Sequence, residues 1–294
     1  MTRMLPKILA APLWAALLFS PTGVLQAEET GHAHAANTIQ RQHWAFGGWR
    51  GQFDREQLRR GFQVYQEKCT GCHGLKRVNF RNLVQKGGPE LDVEAVKELA
   101  KSWPNKITDG PNDAGEMFER DAGLPDPILG PFKNDKAARA AMNGALPPDL
   151  TLIAKARNVE NHSGWQKHVL VDMPSDIIQG YQEGGPDYIY ALLTGFVDPP
   201  AGVKVADGMN YNAAFPGNQI AMPPPLAKDN FTTYVDGKGS LEDSAKDVAA
   251  FLAWAGDPSL NSRKRIGWQV MLYLLVTTLL LYIGKKRIWS RVEH

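Results

Sequence analysis

Cys69-Thr70-Gly71-Cys72-His73 contains both cysteines of this 294-residue chain. The pattern is C-x-x-C-H. Two thiols three positions apart can add to the two vinyl groups of one haem, and the adjacent imidazole then lies against the iron. The thioethers would fix the porphyrin covalently, and His73 would supply the proximal nitrogen. Two other chemistries use C-x-x-C. A structural zinc site needs about four Cys and His ligands, and no second cysteine pair exists. A dithiol oxidoreductase belongs in a βαβ pattern, which the flanking residues do not show. One covalently attached haem c is the reading.

A haem held by His73 alone would be open to gases or peroxide, whereas a second strong ligand would make an electron carrier. The other histidines (His32, His34, His43, His162, His168 and His294) stand in polar or terminal stretches and read as surface residues. Among the methionines, Met222 stands out because Pro223-Pro224-Pro225 follows it. Three prolines fix φ and forbid a helix, so a stiff strap could hold a thioether against iron. Thioether ligation raises the potential and closes the site to dioxygen. Met222 also reads as a core methionine before a proline turn. Met173 and Met209 fall in looser loops, and Met117 and Met142 read as helical or core residues.

The elements that carry these residues are mainly helical. Asp54 can cap a helix with Gln57 as its box partner, and Leu58, Phe62 and Tyr65 follow at helical spacing toward Cys69. Ser240 can cap a second helix bearing Val248, Ala249, Leu252 and Ala253, stopped by Gly256-Asp257-Pro258. Further helices are expected near 92–102, 135–142 and 185–194. No stretch alternates as a strand, and glycine and proline between about 104 and 240 imply long loops. The first and last helices should pack together.

Arg3 and Lys7 precede an apolar run, Ile8 to Phe19, with Ala27 at a small-residue cleavage position, so residues 1–27 read as an export signal. A second apolar run, Ile266 to Gly284, has no charged residue over nineteen positions. At ~1.5 Å per helical residue it reaches about 28 Å, enough to cross a bilayer. Trp268, Tyr273, Tyr282 and Trp289 lie near its ends, as interfacial rings do. The expected organisation is therefore signal 1–27, exported haem domain 28–262, anchor with basic flank 263–284 and cytoplasmic tail 285–294.

The net charge of +2 conceals a segregation. Nine of the 33 basic residues and one of the 31 acidic ones lie in the signal or from Arg263 onward. The exported part is left with 24 basic and 30 acidic residues, a net of −6. Its acids crowd between Glu90 and Asp126. That run reads either as an ordinary solvated face or as a steering surface for a basic partner. The sign disfavours nucleic acid.

Taken together, the chain resembles the cytochrome c1 family over most of residues 43–291. The resemblance is carried by several blocks beside the pentad. They are Phe53-Asp54 with Leu58 to Tyr65, Asn143 to Leu150 with Lys155-Ala156-Arg157, Asp187 to Gly195, Gln219 to Leu226, Lys246-Asp247-Val248 and Arg263-Lys264-Arg265. The family implies an enlarged cytochrome-c-like haem domain with long loops and one C-terminal transmembrane helix. It implies Met222 as the distal ligand and Arg157 as the partner of a haem propionate. Pro148, Tyr188, Leu192, Phe215 and Ile220 would line the haem, although alone they would read as core. The implied function is an electron-carrier subunit of the cytochrome bc1 complex, without a catalytic site of its own. It would pass one electron from the Rieske iron–sulfur protein to a c-type cytochrome, beside cytochrome b and membrane lipid, in a dimeric complex. Asn158 to Pro186 is longer than in mitochondrial members and points to a bacterial inner-membrane protein with its haem domain on the periplasmic side. Without spare cysteines, that insertion must be held by packing.

Three other functions compete. A tethered cytochrome shuttle could serve another oxidase or reductase. A haem sensor or peroxidase would have a displaceable sixth ligand, and an anchored metal-binding protein would use His32 and His34.

Overall fold

The helix that leads into the pentad, α1 (Arg55–Val64), begins where Asp54 Oδ1 accepts the Gln57 amide at 2.7 Å. That bond satisfies one of the amides a helix start leaves unpaired. Leu58, Gly61, Phe62 and Val64 form its buried stripe. A π-turn over Tyr65–Cys69 then carries the chain to the first thiol.

The computed structural model describes residues 39–157, 168–179, 181–234, 237 and 239–290. The expected export signal, His32, His34, His162 and His294, and residues 158–167 of the insertion lie outside that set. Residues 36–294 group as one compact unit.

Beyond α1, the described helices are α2 (Val93–Lys101), α3 (Asp135–Ala141), the short α4 (Ile153–Ala156), α5 (Met173–Gln179), α6 (Gly185–Thr194), α7 (Leu241–Gly256) and α8 (Leu260–Trp289). Asp92, Asn134 and Ser240 cap α2, α3 and α7 through side-chain oxygens. The helices expected from spacing are all present. α4 and α5 are additions that spacing did not reveal, the first a single turn and the second inside the insertion.

α7 is the hub. It packs on α1, α4 and α6, and nearly every residue from Ser244 to Ala255 is buried. A helix apolar all round belongs inside a core, and its alanines let neighbours approach closely. The first and last helices of the domain do pack together, as expected. Gly61 of α1 sits so near α7 that a Cβ there would lie 2.2 Å from the Asp247 carbonyl oxygen. Phe62 and Phe251 meet with ring centroids 5.6 Å apart. Arg60 holds buried Asp247 through two bonds of 2.7 and 3.2 Å.

Strands are present where alternation gave no sign of them. Three two-stranded antiparallel ribbons pair β1 (Leu75–Asn79) with β4 (Pro127–Ile128), β2 (Ile107–Asp109) with β3 (Phe118–Arg120), and β5 (Asn210–Tyr211) with β6 (Gln219–Ile220). Each is two to five residues long, too short for a period of two to register. The architecture remains mainly α.

α8 runs for 30 residues, about 45 Å at ~1.5 Å per residue. Only Leu260 in it is buried. It is long and apolar enough to cross a membrane.

Candidate haem site

The pentad is a tight turn at the end of the π-turn. The amides of Cys72 and His73 both donate to the Cys69 carbonyl, at 3.1 and 2.9 Å. The turn is welded to two other segments. Gly74 meets Gly130 so closely that a Cβ would lie 2.4 Å from the Gly130 nitrogen, and the Leu150 amide donates to the Gly74 carbonyl at 2.9 Å. Asp149 accepts the amides of Lys76 and Thr151 at 2.7 and 3.0 Å. Buried Tyr65 donates its hydroxyl to the His73 carbonyl at 3.1 Å.

His73 Nδ1 lies 2.8 Å from the Pro148 carbonyl oxygen. A carbonyl only accepts, so Nδ1 carries the proton and Nε2 keeps its lone pair for a metal. Burial pushes the imidazole pKa down, opposed by the Pro148 bond, so the neutral form is favoured. Burial, with Cys72 beside it, pushes the Cys69 thiol up to about 12.

Pro148 therefore acts on His73 through its backbone oxygen, a role its residue type did not announce.

A second group of the expected residues lies on α6 and on the loop that leads to Met222. Tyr188 and Leu192 lie on α6, the first buried and the second half-buried. Asn212 ties α6 to the following loop. Its Nδ2 donates to the Leu192 carbonyl at 2.8 Å, and its Oδ1 accepts the amides of Ala214 and Phe215 at 2.9 and 3.1 Å. Asn218, at φ +57, donates to the carbonyls of Asn212 and Ala213, both at 3.2 Å. Ile220 ends β6, and the Met222 carbonyl accepts from Asn210 Nδ2 at 3.3 Å. Arg157 is exposed at the end of α4, and its charge opposes the burial that raises the Tyr188 hydroxyl pKa.

Among the described residues, no hydrogen bond or ring contact runs directly from the His73 group to the Met222 group. Spacing gave Tyr65 only as a helix residue and did not single out Asp149, Asn210, Asn212 or Asn218. The one available signal was asparagine recurring in a glycine-rich loop, where its side chain replaces backbone partners.

These residues fit a haem. Leu192, Phe215, Ile220 and Met222 are half-buried and stand outside the hydrophobic core. The oriented imidazole and the thioether are the ligand types that low-spin haem iron takes. Among the described residues, no group of three or more His, Cys, Asp or Glu side chains is arranged to hold a bare metal ion.

The rival methionines lie elsewhere. Met117 is exposed just before β3 instead of helical or in the core, because the acid-rich stretch around it folds outward as a ribbon. Met173 begins α5 instead of lying in a loop. Met142 caps the C-terminus of α3, and Met209 is in a loop.

Between Glu90 and Asp126 the acids are largely matched at home. Arg120 grips Asp126 at 2.6 and 2.9 Å and Asp109 at 2.6 Å. Lys133 pairs with Glu119 at 2.9 Å, and Lys106 pairs with Asp121. Glu94 and Glu98 pair with Lys97 and Lys101 along α2, and Asp92 caps it. The run is laced with local ion pairs and still carries ten acids against four basic residues.

An imidazole aimed at a metal suits a haem, and an exposed terminal helix suits a bilayer. Together they define the class, a membrane-anchored haem protein that moves electrons. Residues 44–292 match the Cytochrome C1 family. The chain is 44% identical over 272 residues to cytochrome c1 of Blastochloris viridis, covering 92% of this chain and 93% of that one. It is 39% identical to cytochrome c1 of Rhodospirillum rubrum across the full length of both. A protein of Bradyrhizobium diazoefficiens named cytochrome b/c1 is 45% identical over 84% of this chain, which spans 35% of that longer protein. The chain belongs to the cytochrome c1 family.

Proposed function

We infer that this chain is the haem-carrying, electron-transfer subunit of ubiquinol–cytochrome c reductase, the cytochrome bc1 complex. The observation that carries the reading is the pentad with its imidazole oriented by Pro148, inside a family match of nearly the whole chain. When bound, the haem supplies a reversible one-electron ferric/ferrous couple.

The residues divide the remaining work. Cys69 and Cys72 would hold one haem c through thioethers, and His73 Nε2 and the Met222 thioether would ligate its iron. Pro148 holds the imidazole tautomer. Arg157 offers a guanidinium fork to a propionate, and Tyr188, Leu192, Phe215 and Ile220 keep water from the ring edge. The electron arrives from the Rieske protein and leaves to a c-type cytochrome. No substrate bond is made or broken by this chain, so it has no catalytic site of its own.

α8 anchors the chain in the bacterial inner membrane beside cytochrome b, in a dimeric complex. The name of the Bradyrhizobium relative, which joins b and c1, supports that neighbour. Residues 1–27 export the domain, residues 28–262 lie on the periplasmic side, and 285–294 remain cytoplasmic.

Purification from membranes tests this reading. The chain is expected to carry haem that survives denaturing electrophoresis and to co-purify with a b-type cytochrome and a Rieske protein. Isolation with another oxidase, free of both, would favour a tethered shuttle instead.

A further inference from the structure

The insertion contains none of the residues expected to contact the haem, yet its described residues are unusually apolar on the outside. Leu170 is 75% exposed and Ile178 79% exposed, with Ile177, Tyr181 and Trp49 exposed beside them. Contiguous apolar surface of this kind marks a contact with something other than water.

Several polar atoms of the same region are tied to the rest of the domain. Trp49 Nε1 donates to the Ile177 carbonyl at 3.0 Å, and Arg41 donates to the Gln182 carbonyl at 2.7 Å. Asp176 lies 3.8 Å from Arg41, and Glu183 pairs with Lys155. Asp176 and Glu183 are thus each paired within the domain.

This segment sits at the foot of the anchor. A cleft of about 510 Å³ is lined by Trp49, Met173, Ile177 and Tyr181 together with Leu260 and Lys264 from the start of α8. Lys264 donates to the carbonyls of Phe46 and Gly48, both at 2.6 Å, fixing the Trp49 loop to that helix. Arg50 stacks over Trp268 at 5.8 Å, and Trp268 lies in the third residue of the apolar run.

We propose that residues 169–178 and Tyr181, with Trp49, lie in the headgroup layer of the membrane that α8 crosses, as an interfacial contact with anionic phospholipid. Leu170, Ile177 and Ile178 enter the boundary of the acyl region. Trp49 and Tyr181 occupy the depth their amphipathic rings favour. Arg50 and exposed Arg265 meet the phosphates. Lipid is favoured over a protein partner because the patch is continuous with a helix whose own surface requires lipid. The contact would set the height and tilt of the haem domain. This goes beyond the haem assignment and does not depend on it.

The test uses the whole complex in nanodiscs of phosphatidylcholine and phosphatidylglycerol. Nitroxide labels are placed at L170C and I178C, two exposed sites, with D113C in the β2–β3 ribbon as the aqueous reference. The expected result is an oxygen-to-nickel-chelate accessibility ratio several-fold higher at 170 and 178 than at 113. A ratio equal to that at 113 overturns the proposal by placing the patch in water. Shielding from both relaxants overturns it by placing the patch under protein. The haem spectrum of the same samples reports the cofactor separately.

Discussion

Around His73 the chain is held by backbone packed on backbone, while around Met222 it is held by the side-chain amides of three asparagines. The proximal turn is wedged between Gly130 and Leu150, under buried Tyr65, and continues from a helix pressed onto α7. The distal strap hangs from Asn210, Asn212 and Asn218, and its apolar side chains are half-buried. Close-packed interiors resist deformation, whereas a net hydrogen bond stabilises by only about 1 kcal/mol. On the proposed reading, covalent attachment and folding would therefore belong to the His73 side, and tuning of the iron to the Met222 side.

The largest expected effect is electronic. Met222→Leu should leave the covalent haem and the melting temperature in place. The reduction potential should fall by a sizeable fraction of the about 0.8 V that axial ligands span. Redox titration measures this, and an unchanged potential would move the distal ligand to another side chain.

Next comes Gly61→Val, which drives a branched side chain into the Asp247 carbonyl. It should cost about 3 kcal/mol, the upper range for overpacking, visible as a lower melting temperature and poorer haem incorporation. A neutral result would mean that the α1–α7 contact is softer than drawn.

Asn212→Ala should cost about 1 kcal/mol, because the part-buried amides of Ala214 and Phe215 lose their acceptor. The sharper readout is carbon monoxide binding to the ferrous form, expected to appear while covalent haem content stays constant. Equal loss of haem would erase the distinction between the two sides.

The smallest effect is set by pH. Arg120 holds the Asp126 carboxyl below its ordinary 3.8. A depressed folded pKa stabilises above the unfolded value and is lost as pH falls through the folded one. Melting of the parent and of Arg120→Ala should therefore differ at pH 6, begin to approach each other only below pH 3.8, and converge once pH is under the depressed folded value. A gap that persists in acid would assign the role of Arg120 to packing.

What could be read along the chain was local. Asp54 and Ser240 announced their helices because a cap and the amides it satisfies lie within three residues. The packing of α1 on α7 could be anticipated from their apolar stripes. The ribbons could not, since β5 and β6 owe their pairing to the loop between them and not to alternation. Met117 and Met173 were misplaced for the same reason, as neither residue type fixes whether its segment is helix, loop or ribbon. The acids from Glu90 to Asp126 suggested a field, but several of their partners lie eleven to fifteen residues away.

Residue type and spacing alone determined the chemistry on offer, namely two thiols and an imidazole in one turn, and a terminal run too apolar for water. Those properties are covalent or additive along the chain, so no fold is needed to express them. Only tertiary structure decided which imidazole nitrogen carries the proton, because the deciding carbonyl belongs to Pro148, 75 residues away. The same holds for the Met222 strap and for the insertion at the anchor. In both, backbone oxygens that have no signature in the sequence become the partners that count.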